Sequence, residues 1–89
     1  MQGEANCIQR LGDIDAANED IASARRRWSD ALALYGRIPD PYSIGQTHLR
    51  LARHAATPAE AAAHREAARR AWTSIDRPDL IAKLLDKAP

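Results

Sequence analysis

DIASARRRWSDALALYGRIP, residues 20–39, is the stretch whose reading decides the fold. Ile21, Ala24, Trp28, Ala31, Leu32, Tyr35 and Ile38 recur at helical spacing, which gives one apolar face to a helix running to about Arg37. Small and large side chains alternate along that face. Small ones let a neighbouring helix come close, and the aromatics fill the gaps between. Asn18 or Asp20 is placed to cap the start by accepting an orphan backbone N–H. Pro39 and Pro41 end the helix.

The same punctuation continues on both sides. Upstream, a helix fits Gly3 to about Ala17, with Ala5, Ile8, Leu11, Gly12 and Asp15 near one face and Cys7 and Ile14 beside it. Downstream, Asp40-Pro41 supplies a cap and a proline at the first helical position. The helix it opens reaches about Ala56 and is lined by Tyr42, Gly45, Leu49, Leu51 and Ala52. Thr57-Pro58-Ala59-Glu60 is a capping box, and its helix carries Ala61, Ala68, Trp72 and Ile75. Asp76-Arg77-Pro78 restarts the chain, and Leu80, Ile81, Leu84 and Leu85 predict a last short amphipathic helix from about Pro78 to Lys87. The expectation is an all-α chain in one domain, 1–89. It holds two helical hairpins (3–40 and 41–77), shifted by about 40 positions, and a capping helix (78–88). A hairpin of this kind cannot bury its apolar face alone, so stacking into a solenoid, an alpha-alpha superhelix, is expected. Leu80 to Leu85 should cover the apolar edge of the second hairpin.

Composition narrows the function classes. At 89 residues there is room for one small domain, marginal unless its packing is good or a partner helps. Glycine (4) and proline (5) are sparse and Phe is absent. Alanine dominates, valine is missing and threonine is scarce, which favours close helix packing and argues against sheet. A net charge of +1 gives no bulk electrostatic case for nucleic acid or a membrane surface. The single cysteine, Cys7, excludes an internal disulfide and is read as a small buried hydrophobe. The first ten residues are polar, which speaks against a signal peptide. No apolar run approaches the roughly 20 residues a bilayer requires. A cytoplasmic domain is expected.

Gly12, Ala24, Trp28 and Ala31, with Leu11 beside Gly12 and Ile8 one turn before it, resemble a tetratricopeptide repeat (TPR). In the second hairpin Leu51 and Ala52 match Leu11 and Gly12, Ala61 and Ala68 take the small positions, Trp72 matches Tyr35 and Ile75 matches Ile38. Arg65 stands where Trp28 did, and Asp15 where the family commonly has Tyr; both departures suit a repeat near an end of an array. The run Gly3 to Ile14 is also similar to a unit of about 40 residues found in tandem in large bacterial signalling and regulatory proteins. The chain thus looks like C-terminal repeats of a bacterial TPR protein.

What the resemblance implies is a protein-binding scaffold, whose first helices line a groove for a partner peptide or helix. The groove positions carried over are Asn6, Gln9, Arg10 and Asp13, then Gln46, Leu49, Arg50 and Arg53. Their three arginines would suit an acidic partner, since guanidinium forks bind carboxylates. The Lys and Asn arrangement of the family's carboxylate-clamp members is missing. The rival reading is a ligand-sensing regulatory domain, with a deep arginine-lined pocket for a short peptide or small anionic signal. Arg25-Arg26-Arg27 invites a nucleic-acid reading, but consecutive residues point in different directions around a helix, and Glu19, Asp20 and Asp30 lie within reach.

No catalytic, cofactor or metal site is expected. His48, His54 and His64 include no i, i+4 pair, and no Cys or carboxylate completes a ligand set. There is no Gly-rich phosphate loop, serine elbow or paired-carboxylate motif. Ile8 and Ile14 lie at an N-terminal edge that nothing in the sequence caps, so the chain is expected either to end a longer array or to pair with another copy there.

Overall fold

In the computed structural model, which describes residues 2–85, each helix stops where another group replaces a missing intrahelical partner. Helix α1 (Gln2–Ala17) ends in a Schellman turn. The Asp20 N–H reaches the Asp15 carbonyl (2.8 Å) and the Glu19 N–H that of Ala16 (3.0 Å), with Glu19 in the left-handed region at φ 64°. Asp20 then opens α2 (Ile21–Arg37) by accepting the Ser23 N–H at 3.3 Å. Hydrogen bonds from the Ser23 hydroxyl and N–H hold its carboxyl below the usual range. One residue therefore closes α1 and opens α2.

Helix α3 (Pro41–Arg53) is capped by Asp40, which accepts the Ser43 N–H (3.2 Å) and hydroxyl (2.8 Å). It stops at Arg53 rather than Ala56, because the His54 N–H turns back onto the Leu51 carbonyl and its ring stacks on Trp28, centroids 5.3 Å apart. Helix α4 (Pro58–Ser74) starts at the predicted capping box. The Glu60 N–H donates to Thr57 Oγ1 (3.1 Å), and the Glu60 carboxylate takes the Ala56 N–H (2.8 Å). A second Schellman turn ends α4, with Asp76 at φ 55°. The last segment is a three-residue helix α5 (Pro78–Leu80) running into a π-helical turn, Ile81–Leu85. Residues 86–88 of the expected cap lie outside the described residues.

Successive elements are neighbours in space: α1 packs on α2, α2 on α3, α3 on α4, and α4 on the closing segment. The result measures 31 × 31 × 18 Å, and the described residues contain no strand. Of the expected small positions, Gly12, Ala24, Ala31, Ala52 and Ala68 are buried, and Ala61 is half-buried. Trp28, Tyr35 and Trp72 are the largest buried apolar side chains.

Each hairpin is closed by a tryptophan lying on a glycine. A Cβ at Gly12 would stand 2.5 Å from Trp28 Nε1, and one at Gly45 would overlap the Trp72 indole. The indole N–H in each case donates to the carbonyl one turn before that glycine: Trp28 to Gln9 (3.3 Å), Trp72 to Tyr42 (3.1 Å). Bare backbone is what lets a ring sit flat on a helix and reach its carbonyl. Tyr35 occupies a comparable seat over Ala5 and Ala31, with Ile8, Leu34, Ile38 and Ile44 around it. Leu80 joins Leu49, Ala68 and Trp72, and Ile81, Leu84 and Leu85 pack on that cluster, so the closing segment covers α3/α4 as expected.

Cys7 corrects the sequence reading. It is exposed, because it lies on the face of α1 turned away from α2, alongside exposed Leu11 and Ile14.

Candidate functional site

Asn6, Gln9, Arg10 and Asp13 recur at helical spacing and so share the face of α1 turned toward α3. With Gln46 and Arg50 of α3 they line one cleft of about 530 Å³, completed by Asp40, Tyr42 and Ser43. Six of the eight expected groove residues are thus brought together. Leu49 is not among them: it is 5% exposed and packs against Ala68 and Trp72, one turn beyond Gly45 on the α4 side of α3. Arg53 lies in the neighbouring depression with Arg50, His54 and Trp28. Asp40 and Ser43 escaped the sequence reading because they belong to a helix cap, and caps read as structural punctuation. Tyr42, half exposed, sits at the same N-terminus.

The charges cancel instead of adding. Arg50 grips Asp13 with two prongs, Nε to Oδ1 at 2.8 Å and Nη2 to Oδ2 at 3.2 Å, and donates to the Gln46 carbonyl at 3.1 Å. Asp13 also accepts the Trp28 indole N–H at 3.1 Å. The guanidinium expected to meet a ligand carboxylate therefore already holds one. Arg10 is exposed and makes no ion pair among the described residues.

Two hydroxyls set the carboxamides. Tyr35 Oη, wholly buried, donates to Asn6 Oδ1, and burial pushes its pKa up. The buried Thr47 hydroxyl shares its proton between Gln9 Oε1 (2.6 Å) and the Ser43 carbonyl (2.8 Å). With their oxygens held from behind, Asn6 and Gln9 turn NH2 groups outward. Gln46 does the reverse: its NH2 donates to Tyr42 Oη (3.3 Å), and its side-chain oxygen is left to accept. One wall offers donors and the other an acceptor, which is the pairing an extended main chain presents.

The arginine run is tied down by neighbouring helices, not by the local acids. Arg25 meets both oxygens of Glu60 (2.9 and 3.0 Å), and Arg27 meets Asp15 at 2.6 Å. Only Arg26 of the three is exposed. Two histidines that no helical spacing pairs meet across helices: His48 and His64 lie 2.9 Å apart through their Nδ1 atoms. Among the described residues no group of three or more His, Cys, Asp or Glu is placed to hold a metal, and no helix is long and apolar enough to cross a membrane. No family model matches the chain, and no curated protein or solved structure matches it either.

Proposed function

We propose that the chain is a TPR-like protein-interaction module whose α1/α3 cleft holds an extended segment of a partner protein. The observation that carries this is the fixed polarity of the carboxamides. Asn6 and Gln9 present donors and Gln46 an acceptor along one open cleft. Carboxamides paired with peptide groups recognise main chain with little regard to side chains, and Arg10 adds one cation for a carboxylate at one end. The sensing reading needs a cationic pocket for a small anion. Neutralisation of Arg50 by Asp13 takes support from it. The order of packing, each helix against the next, fits a short stretch of repeat solenoid.

Selection from a random peptide library, followed by titration of an enriched peptide into labelled protein, tests the reading. The side-chain NH2 resonances of Asn6 and Gln9 should shift, and Gln46→Ala with Arg10→Ala should weaken binding by roughly ten-fold or more. Peptides that bind this folded variant equally well, or that shift resonances only outside the cleft, would exclude the cleft as the site.

A further inference from the structure

His48 on α3 and His64 on α4 are both half-buried, with Nδ1 atoms 2.9 Å apart and ring centroids 5.2 Å apart. One imidazole radius added at each end of the N···N gap accounts for the centroid separation. The two nitrogens therefore face each other head-on along the line joining the rings. A metal in line between them would need about 4 Å, two ordinary metal–nitrogen bonds. The gap is far too short for that, and it suits one N–H···N hydrogen bond. Such a bond would join two helices.

We propose that this pair is an acid-released joint between α3 and α4, in which one N–H···N bond holds the helices together and full protonation of both rings forces them apart. The first added proton is accommodated. It enters at a ring Nε2 and leaves the bridge intact, now charge-assisted. A second leaves both Nδ1 atoms protonated and facing each other, donor against donor and cation against cation. The surroundings give no relief. In the depression that His64 lines, α2 contributes Arg25 and Arg26, and Glu60 of α4, the carboxylate there, is already held by Arg25. Burial, then the charge of His64, pushes His48 down to about 4 from 6.5. Below pH 6.5 the unfolded chain takes up this proton before the fold does. Stability therefore falls as pH drops through 6.5, and the loss is complete below about 4.

The test is histidine NMR across pH 7.5 to 3.5 on the intact chain, with His64→Gln and His48→Gln. The wild type should show a nitrogen–nitrogen coupling across the bridge at neutral pH, lost in the acid limb, and His48 should titrate well below 6.5. His64→Gln should raise the His48 midpoint by the share of the shift that the charge of His64, rather than burial, supplies. A wild-type His48 midpoint near 6.5, or one unmoved by His64→Gln, would overturn the joint. Should His64→Gln fail to fold, amide hydrogen exchange of the wild type decides. After correction for intrinsic rates, α3 and α4 should lose protection below pH 6 before α1 and α2 do, and equal loss in all four helices would overturn it.

Discussion

Four glycines in this chain do different work, and only the tertiary contacts tell them apart. Gly12 and Gly45 lie under buried indoles, whereas a Cβ at Gly36 would meet nothing within 4 Å. An added methyl has no room where a ring is wedged against helix backbone, and Trp28 and Trp72 cannot swing away without losing their carbonyl partners. Gly12→Ala and Gly45→Ala should each lower stability by about 1–3 kcal/mol, although alanine is the better helix former. Gly36→Ala should raise it by roughly 0.5–1 kcal/mol. Urea unfolding curves of the three variants check both signs. In sequence, Gly12 has a packing role through the repeat pattern it shares with Ala24, Trp28 and Ala31. Gly45 lined its helix without a partner, because Trp72 was paired by repeat position with Tyr35. That pairing concerned the repeat, and the contact beneath the ring had to come from the fold.

Helix ends were the clearest local signals, since capping depends on residues a few positions apart. Thr57-Pro58-Ala59-Glu60 starts α4 where expected. Thr57→Ala should cost about 1 kcal/mol. Glu60→Ala should cost more, because Glu60 also receives the Ala56 N–H and grips Arg25 of the other hairpin. A double-mutant cycle with Arg25→Ala should return a coupling of about 0.5–1 kcal/mol, modest because both side chains remain about one-third exposed. A coupling of zero would mean that the ion pair does not join the hairpins. The Schellman turn after α1 leaves a non-glycine residue left-handed, Glu19 at φ 64°. Glu19→Gly should therefore stabilise the protein by about 0.5–1 kcal/mol in thermal unfolding, against the usual cost of adding a glycine. The π-helical turn at Ile81–Leu85 had no such signal. Its apolar spacing reads equally well as α-helix, and the fit onto Trp72 and Ile75 selects the wider turn.

For the whole molecule, the two ends of the helix stack differ. The α4 side is covered by Leu80, Ile81, Leu84 and Leu85. On α1, Leu11 and Ile14 remain 39% and 56% exposed, while Leu51, the match of Leu11 on α3, is 4% exposed beneath Ala24 and Trp28 of α2. With the α4 side covered, the pairing proposed as the alternative to a longer array would bring α1 against α1, about a two-fold axis. Self-association of this kind should be visible by sedimentation as a concentration-dependent rise in mass, abolished by Leu11→Lys with Ile14→Lys. A wild type of constant monomer mass at high concentration would remove it.

Helix content, element order, the caps and the alternation of small and large positions were determined by the sequence alone. Each follows from periodicity and stop signals within a single short stretch, where neighbouring residues fix the outcome. The tertiary structure decided what the site is made of. It placed Asp13 on Arg50 across 37 positions, Thr47 on Gln9 across 38 and His64 on His48 across 16. Such partners are chosen by how two helix faces meet. A helical pattern tells which residues share a face, but not which face across the gap will answer it.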